Sequence, residues 1–166
     1  MLHISHSQGT IENVSMTGGK LSVAEWLSGL FTGSALYVKH SKVTIFNTVF
    51  ENLTGSNWGG AVCLWEFSDV ILDNCKFINN TAKVGGAISI EATEKVILKD
   101  NLYLKNKAVF YKTDTDKFCC AAGAIFIWND HRKPNCKNGC PTIFQGVNNF
   151  TKNFAKNEGS AVTFFS

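Results

Sequence analysis

Four cysteines crowd into the second half of the chain. Cys119 and Cys120 are adjacent, Cys136 and Cys140 have three residues between them, and His131 lies between the two pairs. Such thiols either close disulfides or hold zinc as thiolates alongside an imidazole. The Cys-x-x-Cys spacing usual for zinc is absent, which weighs against the metal. Cys63 and Cys75 stand apart, and no row of histidines faces them, so neither reads as an activated nucleophile. Carboxylates are the next candidates. Cleaving a polysaccharide takes two of them across the scissile bond, about 5 Å or about 6.5–9.5 Å apart. Glu91 stands in the middle of an alternating run, Glu66 and Asp130 fall at the ends of such runs, and Asp69 and Asp73 belong to the next run. No acidic cluster with a basic neighbour marks a metal-dependent lyase. No catalytic set, metal or cofactor is therefore expected.

Aromatic side chains make a better case. Tyr37, Trp65, Phe126 and Trp128 recur at related positions, with Glu91 and Lys39 beside them. Flat rings suit sugar faces, and exposed apolar patches mark binding sites. The same rings can instead pack beneath loops as a small satellite core. His3, His6 and His40 read as turn and surface residues. Asn13-Val14-Ser15, Asn52-Leu53-Thr54, Asn79-Asn80-Thr81 and Asn149-Phe150-Thr151 are glycosylation sequons.

The bulk properties exclude some classes. The 166 residues carry a net charge of +3 without any basic block, which gives no footprint for nucleic acid. No apolar run approaches the ~18 residues of a membrane span, and no signal peptide is visible. Apolar residues make up 45% of the chain, enough for a packed interior.

What must position these groups is a repeat. Gly59-Gly60-Ala61-Val62 returns as Gly85-Gly86-Ala87-Ile88, with Gly33-Ser34-Ala35-Leu36 before it and Ala122-Gly123-Ala124-Ile125 and Gly159-Ser160-Ala161-Val162 after it. Units this short cannot bury a core alone, so they stack. Within one unit, Ala87 to Glu91, Lys95 to Lys99 and Leu102 to Asn106 each alternate with the period of a half-buried strand. The expected inward columns are Leu36/Val38, Val62/Leu64, Ile88/Ile90, Ile125/Ile127 and Val162/Phe164 for the first strand. For the second they are Leu2/Ile4, Val43/Ile45, Val70/Leu72 and Val96/Leu98. For the third they are Ile11, Phe50, Phe77, Tyr103 and Phe150. Asn47, Asn74 and Asp100 align in one turn, and Asn80, Asn106 and Asn153 in the next. The first three sequons align as well. Segments near 16–30, 109–120 and 129–140 break the period and read as loops on the scaffold.

The run Phe77-Ile78-Asn79-Asn80 followed by Gly85-Gly86-Ala87-Ile88 resembles the repeat of the chlamydial polymorphic outer membrane proteins, which pair Phe-x-x-Asn with Gly-Gly-Ala-Ile/Leu/Val. Phe150-Thr151-Lys152-Asn153 before Gly159-Ser160-Ala161-Val162 is a looser copy. Leu53 stands where Asn is expected, and Tyr103 replaces Phe. The resemblance implies a right-handed parallel β-helix of the pectin-lyase type and a role in adhesion. It also implies an extracellular or cell-surface location (the outer membrane in a bacterium), an oxidising place that favours disulfides among Cys119, Cys120, Cys136 and Cys140.

The expectation is thus an all-β, right-handed parallel β-helix of about five coils, with three short strands per coil. Residues 1–166 form one segment, expected to be a piece of a longer solenoid because neither end carries a polar capping unit. The expected role is a non-catalytic, adhesin-like binding scaffold that meets a glycan or a cell-surface protein through Tyr37, Trp65, Glu91, Phe126 and Trp128. The alternatives are a carbohydrate-active domain and a structural spacer in a large membrane-anchored protein.

Overall fold

The computed structural model describes residues 1–20, 34–55, 57–109, 121–129, 141–156 and 159–165. Every element among them is a strand, and every strand pairing is parallel. The first sheet stacks β1 (Leu2–Ser5), β4 (Leu36–Lys39), β7 (Val62–Leu64), β11 (Ile88–Glu91), β15 (Ile125–Trp128) and β19 (Val162–Phe165). The second stacks β2 (Gln8–Glu12), β5 (Lys42–Phe46), β8 (Asp69–Asp73), β12 (Lys95–Lys99) and β16 (Thr142–Gln145). The third stacks β3 (Ser15–Thr17), β6 (Val49–Glu51), β9 (Lys76–Ile78), β13 (Leu102–Leu104) and β17 (Asn149–Thr151). A fourth contains the two-residue strands β10 (Thr81–Ala82), β14 (Lys107–Ala108) and β18 (Phe154–Ala155). The chain visits the sheets in turn and pairs with itself one coil later. Parallel strands need such long crossovers.

The inward columns are continuous. Leu36, Val62, Ile88 and Ile125 lie in register, as do Val38, Leu64, Ile90 and Ile127, and all eight are fully buried. In the third sheet, Phe50, Phe77, Tyr103 and Phe150 stack with ring centroids 4.9, 5.1 and 4.6 Å apart and planes within 6°. Each buried aliphatic or aromatic residue of this kind contributes roughly 1.5–3 kcal/mol.

The first coil corrects the expected register by one strand. Leu2 and Ile4 lie in the first sheet, paired with Leu36 and Val38, and not in the second. Ile11 joins Ile45 in the second sheet, and Met16 takes the place beside Phe50 in the third. Met16 therefore belongs to a strand, whereas a loop was expected from residue 16. Asn13 consequently stacks with Asn47, at the turn before the third strand, and not with Asn52 and Asn79. The fourth sheet was not expected either. Strands of two residues are too short to display an alternation.

Amides bind the coils at their corners. Asn80, Asn106 and Asn153 form a ladder along the coil axis, with Nδ2 of one donating to Oδ1 of the next at 3.0 Å. The backbone N–H groups of Asn80 and Asn106 donate to the same oxygens, at 3.0 Å each, and their side-chain amides donate to the carbonyls of Phe50 and Phe77. Asn80 and Asn106 are fully buried. Leu53 ends this ladder, giving Asn80 Oδ1 only its backbone N–H. A second inner column runs Thr48, Cys75, Asn101 and Asn148, in which Asn101 Oδ1 accepts from the Cys75 N–H and Asn148 Oδ1 from the Asn101 N–H. Outside, Asn13, Asn47 and Asn74 make an exposed ladder at positive φ, where Asn is tolerated better than most residues.

The glycine phrase fits the close approach of coils. Gly59, Gly85 and Gly159 take positive φ, and Ala122 shares that conformation at 59°. At the following position a Cβ on Gly86 would overlap the Gly123 carbonyl oxygen and the Lys107 backbone.

Candidate functional site

The outer face of the first sheet carries the candidate binding residues in two rows. One row runs His3, Tyr37, Cys63, Ser89, Phe126 and Thr163. The other contains Ser5 and Lys39, then Glu91, Trp128 and Phe165, with Trp65 directly after β7 at the same edge. Alternation along each strand sends these side chains outward for the same reason that Leu36, Val62, Ile88 and Ile125 point inward.

Pointing outward does not leave them in water. Phe126 is 1% exposed and Glu91 5%. Cys63 and Ser89 are buried, while Tyr37, Trp65, Trp128 and Phe165 are half-buried. Phe126 anchors a second, smaller apolar cluster with Val84, Ala121 and Ala122, against which Trp58, Trp128 and Phe165 pack. Trp58 meets Phe126 edge-on at 5.3 Å and lies nearly parallel to Trp128 at 6.0 Å. A small apolar cluster is therefore present at the Phe126–Trp128 end; the loops expected to cover the rings fall at 110–120 and 130–140, outside the described residues. The sequence reading missed Trp58. Its signal was its place just before a glycine phrase, where it bridges to Val84 of the next coil.

The other end of the face is polar. The Tyr37 ring takes His3 edge-on at 4.9 Å. Burial first, then the charges of Cys63, Glu66 and Glu91, push its hydroxyl well above the ordinary phenol range. Lys39 pairs with Glu66 at 3.5 Å. Glu91 and Lys39 thus share the face with the rings, and Glu91 is buried there. Elsewhere, Cys75 is a buried free thiol, and burial pushes it up to about 11. Cys119, Cys120, Cys136 and Cys140 lie outside the described residues, as do His131 and Asp130. No helix among the described residues is long and apolar enough to cross a membrane.

No protein-family model matches the chain, and no solved structure matches it. A metabotropic glutamate receptor-like protein R of Dictyostelium discoideum is 30% identical to it over 76 residues. That stretch is 45% of this chain and 5% of the Dictyostelium protein, so the chain spans a small part of that relative's length.

Proposed function

We propose that this chain is a segment of a right-handed parallel β-helix that acts as a non-catalytic binding scaffold outside the cell, meeting a glycan or a cell-surface protein. The handedness rests on a general preference: parallel strands joined within one sheet cross over right-handedly in about 98% of cases. The resemblance to outer-membrane adhesin repeats supports the location and the role. The observation that carries the binding reading is the state of the two tryptophans. Trp65 and Trp128 keep part of their surface in solvent while Phe126 and Glu91 beside them are buried. Half-exposed rings over a rigid sheet offer contact area at little entropic cost.

The test uses the labelled chain on intact cells and on a panel of polysaccharides. Saturable binding that falls at least severalfold in Trp65→Ala and Trp128→Ala, with circular dichroism unchanged, supports the reading. Release of new reducing ends would favour the carbohydrate-cleaving alternative and refute this one.

A spacer role within a large membrane-anchored protein is the second reading. It is favoured by the match to a short stretch of a much longer receptor-like protein. Under it, neither tryptophan variant changes cell binding.

A further inference from the structure

The corrected register of the first coil brings two histidines together. His6 and His40 occupy the same turn on successive coils, between the first and second sheets, both at positive φ (51° and 48°). The His6 N–H donates to the Lys39 carbonyl, and the His40 N–H to that of Glu66, which locks the stacking. Their ring centroids are 4.8 Å apart, and His6 Nε2 lies 3.1 Å from His40 Nδ1. His6 is exposed and His40 half-buried, so solvent reaches the pair. Phe67 closes the far side, its ring 5.3 Å from His40.

We propose that His6 and His40 form a two-histidine site for a divalent transition-metal ion of the zinc, nickel or copper type, with water completing the shell. The distance fits. Two nitrogens held about 2.0–2.1 Å from one ion lie about 2.9 Å apart at a right angle and about 3.3 Å apart at the tetrahedral angle. The observed separation falls between these. Imidazole donors select such borderline ions over calcium and magnesium, which take oxygen. The partner for the second ring nitrogen is also in place: Ser5 Oγ lies 2.8 Å from His6 Nδ1. When His6 Nε2 gives its lone pair to the ion, the ring proton moves to Nδ1 and donates to that hydroxyl, the arrangement that orients metal-bound imidazoles. His40 ligates through Nδ1 and keeps its proton on Nε2. Both rings stay neutral, and the ion replaces one N–H···N contact. No third His, Cys, Asp or Glu joins them among the described residues.

The test titrates Zn²⁺ into the whole chain and into His6→Asn, His40→Asn and His3→Asn. Asparagine tolerates positive φ, so the turn is retained. His3→Asn removes a nearby histidine outside the pair, and zinc bound elsewhere in the chain cancels in the comparison. Wild type and His3→Asn should bind alike. The other two should bind roughly tenfold weaker or more, since a chelate becomes a single donor. Electron paramagnetic resonance of the wild type with Cu²⁺ gives a reading independent of any variant's folding, and two coupled nitrogens are expected. Equal affinity in all four proteins overturns the proposal. So does a wild type that binds no zinc, a loss shared by His3→Asn, or a copper spectrum with one nitrogen or none.

Discussion

Replacing Asn106 with alanine should cost far more than any exposed asparagine in the same fold. The Asn106 amide has two donors and two acceptor positions, and all four are used. It donates to the Phe77 carbonyl at 2.9 Å and to Asn153 Oδ1 at 3.0 Å, and accepts from the N–H and the side chain of Asn80, each at 3.0 Å. Truncation leaves the Asn80 N–H without its acceptor in a fully buried place, a penalty of about 1–3 kcal/mol. The Asn80 amide and Asn153 Oδ1 each lose one bond and keep another, to the Phe50 carbonyl and from the Asn106 N–H. With each of these two net bonds at about 0.5–1.5 kcal/mol, the whole loss is roughly 2–6 kcal/mol. That is a large share of the ~5–15 kcal/mol typical of a folded chain. The control is Asn79→Gly. Asn79 is exposed at φ 52° and makes one side-chain bond, 2.7 Å to Asn52. Glycine adopts that φ without strain, so the change should stay within about 1 kcal/mol. Urea unfolding followed by far-ultraviolet circular dichroism reads both, and the m-values should match wild type. If Asn106→Ala loses no more stability than Asn79→Gly, the buried ladder is not what ties the coils together and the reasoning fails.

Three further outcomes are expected. Gly86→Ala places a methyl against the Gly123 carbonyl and should yield little folded protein, measurable as loss of the cooperative urea transition. Tyr103→Phe should change stability by no more than about 1 kcal/mol, because its buried hydroxyl makes no hydrogen bond of good geometry, its one polar neighbour being the Asn101 side chain, and its stacking neighbours are phenylalanines; a loss above about 1 kcal/mol would contradict this. The Cys75 thiol, raised from 9.0 to about 11, contributes stability that is complete below pH ~9 and lost as pH rises toward 11, since the unfolded chain ionises first. Cys75→Thr, which copies Thr48 in the same column, should remove that share of the alkaline loss; parallel stability–pH curves for the two proteins would disprove it.

Residue alternation made much of this legible. The glycine phrases fixed the first sheet in register from Leu36 to Phe164, because a side-chain period of two leaves one face for Val62, Ile88 and Ile125. The Asn80–Asn106–Asn153 ladder was visible because each rung keeps its amide. The second ladder was hidden, since Thr48 and Cys75 take the places that Asn101 and Asn148 hold later. The first coil slipped because no glycine phrase marks its start, and Ile4 and Ile11 fit either of two strands. That slip also concealed the His6–His40 contact. On the candidate face the direction of each side chain was readable, but its burial was not. The cover over Phe126 comes from Trp58 and Ala121, which lie outside the alternating runs.

The stacking has a consequence for reach. Asn80 and Asn106, 26 residues apart, sit one strand spacing apart along the axis, about 4.8 Å. The same residues in a helix would extend about 39 Å. A protein that needed only distance between two points would gain eightfold from the helix. What the coil yields instead is breadth: walls on which each backbone position recurs at a fixed short step, whatever side chain it carries.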